Sequence, residues 1–257
     1  MNKLTRIASA LSLSFSLPFA AISAHAATPA PIKNVVLVHG FFADGSGWKG
    51  VADILARDGY KVSVVQQPET TLGDDVKAAN SVIDAQNGRS ILVGHSYGGM
   101  VITEAGTNPK VAGLVYVAAF QPDAGESLKD LADKMPPATK GIKATPDAHL
   151  IFDPALFHAD FAADLSAGEA RFMALSQVLP TLQTAGGAVT QPAWKSKPSW
   201  AIISKDDRTV NPDLQRFMAK RAGSKVVEIN GSHVAFIARP ELVARVIEQA
   251  AAAAGKQ

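Results

Sequence analysis

Short apolar segments rich in β-branched residues alternate with longer amphipathic segments from residue 35 almost to the end of the chain. The short segments cover residues 35–38, 61–65, 91–93, 111–117, 200–203 and 226–229. The longer segments cover residues 48–57, 72–85, 97–105, 211–221 and 240–253. Parallel strands are buried on both faces and read as short apolar runs, whereas the helices that connect them read as amphipathic. The alternation therefore predicts an α/β fold with a mostly parallel central sheet flanked by helices.

The alternation stops between about residues 121 and 198, where proline-rich joints flank helical stretches at 155–164 and 167–177. We expect this region to be a helical cap inserted into one domain that spans residues 27–257. Five of its large apolar residues are predicted to face the core or to roof a pocket, and core packing is the commoner outcome for such residues. They are Phe152, Phe157, Phe161, Phe172 and Met173.

The first 26 residues are typical of a secretory signal. Lys3 and Arg6 precede an apolar run over residues 7–22, and residues 24–26 form a small-x-small cleavage site. The run contains four serines and a proline, whereas a bilayer span needs about 20 strongly apolar residues. We expect cleavage before Ala27, a mature protein in the periplasm or the medium, and no stable membrane anchor.

Charge and cysteine content exclude several classes of function. Removal of residues 1–26 takes away two of the 25 basic residues and none of the 23 acidic ones, so the remaining formal charge is zero. No basic patch is left to neutralise phosphates, and nucleic-acid binding is not expected. The absence of cysteine excludes disulfides, a thiolate nucleophile and cysteine metal ligands. Composition leaves the oligomeric state open.

Residues 94–98 have the pattern Gly-x-Ser-x-Gly and lie directly between a predicted strand and a predicted helix. A nucleophile on such a sharp turn has strained backbone angles, and Gly94 and Gly98 remove the Cβ atoms that would collide there. The turn also points a helix N-terminus at the site, where free N–H groups favour an oxyanion. Ser96 is therefore predicted to be a catalytic nucleophile.

A serine hydroxyl needs a base to take its proton. His233 is the best candidate, because it lies in the loop after the last predicted strand, at the edge of the sheet where such folds assemble their sites. Four other histidines are expected to be structural or at most to line a pocket: His39, His95 (with its side chain directed away from the nucleophile), His149 and His158.

The acid that orients the base should lie between the nucleophile and the histidine in chain order. Asp207 and its neighbour Asp206 both follow the strand at 200–203, and Asp123 follows an earlier strand. Two backbone amides must receive the oxyanion. Tyr97 supplies one, and the glycine-containing loop at 39–42 supplies the other, for which Phe41 is the expected donor.

These motifs resemble the α/β-hydrolase superfamily over residues 34–253, and within it the methyl esterase and hydroxynitrile lyase-like branch with its bacterial exported esterase relatives. The segments that carry the resemblance are 36–40, 94–99, 205–208 and 231–233. The resemblance implies a cofactor-free, metal-free site and favours Asp207, directly before residues 208–210, over Asp206. The implied site consists of Ser96, Asp207 and His233, with the amides of Phe41 and Tyr97.

Positions at which this chain differs from members of the family indicate which reaction is favoured. Cyanohydrin-cleaving members have a threonine after the first strand's histidine and a lysine after the catalytic histidine, where this chain has Gly40 and Val234. Ser96 argues against the aspartate nucleophile of dehalogenases and epoxide hydrolases. Hydrolysis of a small-molecule carboxylic ester through an acyl-enzyme is the favoured function. A lyase, a perhydrolase and a non-catalytic binding protein on the same scaffold remain alternatives.

Overall fold

The computed structural model describes residues 31–256. The predicted signal at residues 1–26 lies outside this range. Within it, eight strands are formed: β1 Asn34–Val38, β2 Lys61–Val65, β3 Ser90–His95, β4 Val111–Val117, β5 Ile142–Ala144, β6 Leu150–Phe152, β7 Ser199–Ser204 and β8 Lys225–Ile229.

Ten α-helices are formed in the same range. They are α1 Lys49–Arg57, α2 Leu72–Asp84, α3 Gly98–Ala105, α4 Leu128–Lys134, α5 Pro154–Asp160, α6 Ala167–Leu175, α7 Leu182–Gly186, α8 Pro212–Ala222, α9 Ala235–Ala238 and α10 Pro240–Ala254. None of these helices has the length and apolar character that a membrane span requires.

Six parallel strands form the central sheet, in the order β2-β1-β3-β4-β7-β8. Every residue of β1, β3 and β4 is buried, whereas most of β2 and β8 at the two edges is not. Helix α1 packs against α10, and α2 packs against α3. The predicted α/β architecture is confirmed.

The strand order reverses between β1 and β3, because the chain passes from β1 outward to β2 and then returns to the other side of β1. Loops that leave the carboxyl ends of strands on either side of such a reversal diverge and leave a crevice, where open α/β sheets bind ligands. The loop after β1 begins at His39, and the turn after β3 contains Ser96. The topology therefore places both segments at one crevice.

The segment at residues 121–198, here called the cap segment, lies between β4 and β7 and contains α4 to α7. Sequence reasoning expected helices at 155–164 and 167–177, near α5 and α6. It did not anticipate the antiparallel hairpin of β5 and β6. Side chains of Phe152, Phe157 and Phe161 are fully buried and pack edge-on or tilted against one another at centroid distances of 4.6–5.4 Å.

Candidate active site

Ser96 lies at the bend between β3 and α3. Its backbone has a positive φ of 53°, a conformation that costs energy for a residue with a side chain and that clusters at functional sites. The flanking glycines are required by close backbone contacts. A Cβ on Gly94 would lie 2.5 Å from the carbonyl oxygen of Gly98, and a Cβ on Gly98 would lie 2.6 Å from that of His39.

The structure brings Asp207 and His233 together in the interior. His233 Nδ1 and Asp207 Oδ2 are 2.8 Å apart, and both side chains are fully buried. Because a carboxylate can only accept, Nδ1 carries the proton, and the other ring nitrogen is left unprotonated and able to accept one. Nε2 of His233 is buried and has no hydrogen-bond partner in the described part of the chain.

Four donors surround the carboxylate of Asp207. Its Oδ1 accepts from the amides of Thr209 and Val210, and its Oδ2 accepts from Gln215 Nε2 as well as from His233. A buried charge that has lost its water is stabilised by such donors.

The neighbouring acid, Asp206, faces elsewhere. Its Oδ2 accepts from the amide of Gly231, and its own amide donates to the carbonyl oxygen of that glycine. Asp206 thereby connects the loop after β7 to the loop after β8. Of the two adjacent acids, the one that contacts the imidazole is Asp207. Asp123, the third acid, pairs with Lys195 at 2.5 Å.

His95 connects the serine bend to the histidine loop. Its Nε2 donates to the backbone oxygen of His233 at 2.9 Å, and the two rings lie 4.6 Å apart. The contact of His95 is thus with the backbone of residue 233 and not with the hydroxyl of Ser96. Burial holds its pKa well below the usual value, so the ring is a neutral support that holds residue 233 beside Ser96.

One of the three remaining histidines within residues 31–256 lies in the interior, and two lie in the cap segment. His39 is buried, and burial lowers its pKa. His149 and His158 of the cap segment contact backbone carbonyls of Asp147 and Leu165. None of the three contacts the carboxylate of Asp207.

The two expected oxyanion donors are the amides of Phe41, in the loop after β1, and of Tyr97, which directly follows the serine. Among residues 31–256, neither amide donates a hydrogen bond to the protein. The two side chains stack, with ring centroids 4.0 Å apart and planes inclined by 20°. Gly40 keeps the loop close, because a Cβ on it would lie 2.5 Å from the Cβ of Ser96. Phe42 has a positive φ of 63°, so this loop is strained like the bend it faces.

Two carboxylates of the cap segment hold the loops that carry the acid and the base. Asp160 accepts from Arg208 Nε at 2.6 Å, and Asp164 accepts from the amide of Ser232 at 2.5 Å. The ring of Phe161 lies edge-on to His233 at 4.9 Å. The cap segment therefore supports the imidazole directly.

A cleft of about 430 Å³ is lined by His95 and Val234, the chain neighbours of Ser96 and His233, and not by those two residues themselves. The loop after β1, helix α6 and the segment after His233 line it, with Phe42, Leu165, Met173, Phe236 and Ile237 among its apolar residues. Phe172 also lines the cleft and is 69% exposed. Of the two outcomes expected for this residue, core packing and pocket lining, the structure shows pocket lining.

Two buried acids on the far side of the Phe41–Tyr97 stack were missed by sequence reasoning. Glu69, after β2, and Asp75, in α2, are both 0% exposed. A signal was present for Asp75, because it lies on the apolar stripe of α2 with Leu72, Ala79 and Ile83. An acid on such a stripe must find a buried partner. No comparable sequence pattern marks Glu69.

Residues 31–256 contain no group of three or more histidine, aspartate and glutamate side chains arranged to hold a metal ion. The geometry described above is that of a serine turn and an imidazole–carboxylate pair at the carboxyl edge of a parallel sheet. Residues 35–246 match the sequence model of the alpha/beta hydrolase family. The chain belongs to this family.

Individual relatives agree with that assignment. A carbendazim hydrolyzing esterase from Nocardioides sp. (strain SG-4G) is 36% identical over 121 residues, which are 41% of this chain and 50% of that esterase. Methylesterase 8 from Arabidopsis thaliana is 24% identical over 250 residues, 82% of this chain and 86% of its own. This second match confirms the resemblance to the methyl esterase branch.

A solved structure shows the same fold. The pyrethroid hydrolase PytH, crystallised with BIF, superposes with a TM-score of 0.75 at 23% identity, and the alignment covers 85% of this chain and 96% of that one.

Proposed function

We propose that this protein is a serine esterase that cleaves carboxylic esters through an acyl-enzyme. The observation that carries the proposal is the imidazole of His233, which donates through Nδ1 to Asp207 and keeps a buried, unpartnered Nε2. His95 holds this residue beside the bend that bears Ser96. An acceptor nitrogen next to a strained serine is the arrangement that nucleophilic acyl transfer requires.

The reaction follows from these positions. Ser96 Oγ attacks the ester carbonyl while His233 Nε2 takes its proton, and the amides of Phe41 and Tyr97 donate to the oxygen that becomes negative. His233 then passes the proton to the leaving alcohol oxygen, and the acyl group remains on Ser96. A water molecule attacks the acyl carbonyl, gives its proton to Nε2 and releases the acid. The proton returns to Ser96, so the enzyme is regenerated.

The cleft supports an uncharged, largely apolar ester as substrate. Most of its lining is apolar, its acidic residues are Asp44 and Glu169, and no lysine or arginine lines it. A carboxylate-bearing substrate would meet these two acids without a basic partner. The names of relatives, a carbendazim hydrolyzing esterase and a pyrethroid hydrolase, support the same class of substrate.

Lyase chemistry is disfavoured by the site. A side chain at position 40 would collide with Ser96, so the loop has no room for a threonine there. Position 234 is a fully buried valine, which supplies no cation for a leaving cyanide. Acyl transfer needs neither group.

Replacement of the nucleophile tests the proposal. Ser96→Ala should lower turnover of p-nitrophenyl esters by at least about 10⁴-fold and abolish labelling by a fluorophosphonate. Ser90→Ala is the matched control, because Ser90 begins the same strand, is fully buried and has an unpartnered hydroxyl. Its turnover should stay within about threefold of the wild type. Near-normal hydrolysis by a folded Ser96→Ala variant would overturn the proposal.

We further propose that residues 1–26 direct export and that the cap segment, residues 121–198, covers the site. The full chain, expressed in a Gram-negative host, should be recovered from the periplasm or medium with Ala27 as its first residue. A chain that begins at residue 27 should stay in the cytoplasm. Recovery of the full chain with residue 1 intact would contradict the export proposal.

A further inference from the structure

The far side of the proposed oxyanion hole is built around two buried acids. Asp75 and Glu69 are fully enclosed, and neither contacts the Asp207–His233 pair. The amide of Glu69 donates to Asp75 Oδ1 at 2.8 Å. The two acids therefore form one unit, here called the acid pair. The reaction steps given above make no use of it.

Asp75 holds the side chain of the residue that follows the nucleophile. The hydroxyl of Tyr97 donates to Asp75 Oδ2 at 2.5 Å, and Tyr97 is 1% exposed. Burial raises the pKa of Asp75 to about 6, and burial together with this neighbour raises that of the Tyr97 hydroxyl. The phenol thus keeps its proton and donates a hydrogen bond to the carboxylate.

The Phe41 ring is held in place by the Tyr97 ring, because the two rings stack with centroids 4.0 Å apart. These are the two residues whose amides are proposed to receive the oxyanion. The acid that fixes one ring therefore also fixes the other. A donor displaced by about 1 Å can cost about 10²-fold in rate.

Glu69 fastens the acid pair to its surroundings. Its backbone has a positive φ of 55°, and its carbonyl oxygen accepts from the amide of Thr181 and the hydroxyl of Thr184 in the cap segment. Its Oε1 lies 3.5 Å from Nδ1 of His39, the residue before Gly40. A strained backbone persists only where its surroundings hold it, and here Asp75 and the cap segment do so.

We propose that Asp75 is a positioning residue of the oxyanion hole, which fixes the Tyr97 and Phe41 amides through the Tyr97 hydroxyl and the stacked rings. This proposal rests on the proposed esterase function. Asp75 does not touch the reacting atoms, and it acts by limiting movement of the two donors.

Two single substitutions and their combination test the role. Tyr97→Phe removes only the hydroxyl and keeps the amide, and Asp75→Asn keeps the size of the side chain. Each should lower kcat by about 10- to 100-fold while KM changes by less than about threefold, because donors to the oxyanion act mainly in the transition state. The double variant should lose no more than the worse single variant, since both remove one contact.

Tyr116→Phe is the matched control. Tyr116 is buried to a similar degree, and its hydroxyl shares a hydrogen bond of 2.9 Å with Thr103 Oγ1 rather than with Asp75. Its kcat should remain within about threefold of the wild type. All rates are divided by the number of sites that a fluorophosphonate labels at completion, so that unfolded molecules do not contribute.

The outcomes separate the two proposals. If Tyr97→Phe and Asp75→Asn keep wild-type kcat, or if Tyr116→Phe loses as much as they do, the positioning role is overturned and hydrolysis at Ser96 stands. If the wild type hydrolyses no ester or is labelled elsewhere, the esterase function itself fails. Should Tyr97→Phe not fold, Asp75→Asn decides, through kcat and through weaker binding of a trifluoromethyl ketone relative to the carboxylic acid product.

Discussion

Two buried acidic sites flank the serine bend, and they accommodate their carboxyl groups in opposite ways. Asp207 accepts four hydrogen bonds, from two amides, an amide side chain and an imidazole. Both oxygens of Glu69 lack a hydrogen-bond partner in the described part of the chain, and burial raises its pKa to about 10. Asp75 lies between these extremes, with two donors and a pKa of about 6.

The difference shows that burial alone does not decide the charge of an acid. Donors replace the water that a buried carboxylate has lost, and where they are missing the group keeps its proton. In the proposed reaction, the donors around Asp207 would stabilise a negative charge opposite the imidazolium of His233. The Glu69 side, in contrast, holds the surrounding loop in position through an acid that carries no charge.

Neutralising Asp207 tests the charged side most strongly. Asp207→Asn should lower kcat by about 10⁴-fold, because an amide can hold the imidazole in the wrong tautomer and cannot balance its charge. Asp206→Asn is the control, since Asp206 contacts only the loop at Gly231, and it should lose less than about tenfold. Steady-state kinetics on one ester measure both. If Asp206→Asn had the larger effect, the two acids would have to exchange roles.

Removing one donor from Asp207 sharpens the comparison. Gln215→Leu deletes the Nε2 contact of 2.9 Å and should lower kcat by about tenfold, the worth of one hydrogen bond to a charged group. Gln86→Leu is the control: it makes the same change at a side chain that contacts Ser63 and the Val82 carbonyl and does not contact Asp207. Its kcat should not change. A Gln215→Leu variant with wild-type kcat would show that three donors suffice.

Replacing Glu69 tests the uncharged side through stability. Glu69 keeps its proton in the folded protein up to about pH 10 and loses it near 4.5 when unfolded, so the folded state binds more protons in this window. Stability therefore falls as the pH rises through it. Glu69→Gln imitates the protonated acid and removes this loss. Its advantage over the wild type should be small at pH 4.5 and grow by about 1.4 kcal/mol per pH unit above it.

Thermal unfolding of both proteins at pH 5 and pH 8 measures this effect. The expected result is a melting temperature that falls for the wild type between the two pH values and falls less for Glu69→Gln. Equal melting curves at pH 8 would mean that Glu69 is ionised in the folded protein, and the contrast with Asp207 would disappear.

The sheet could be read from the sequence because its strands are short apolar runs, four of which are fully buried. The runs at 91–93 and 111–117 correspond to β3 and β4, and the six predicted strands differ from the observed ones by no more than two residues at either end. Chain order indicated His233 and an acid at position 206 or 207, and the family resemblance favoured Asp207, which is the acid that the structure brings to His233. Asp207 and His233 each follow a strand of one parallel sheet, so their loops meet at its carboxyl edge. Their catalytic roles stay predictions.

Other features could not be read because local pattern does not encode them. Strands β5 and β6 have three residues each, too few to show a period. Glu69 follows β2 in a loop, and only the folded chain brings it to His39. Phe172 is as apolar as its buried neighbours, yet it is exposed because α6 has solvent on one side. Tertiary packing decides each of these.

The division between α6 and the sheet loops has a consequence for how new specificities can arise. The proposed reacting groups lie in turns and loops that follow strands of the sheet, whereas Phe172 and Met173 come from a separate helix that borders the cleft. Changes of size on that helix reshape the space offered to a leaving group and leave the chemistry untouched. Laboratory evolution toward bulkier pollutants or drugs should therefore accumulate its first successful mutations there.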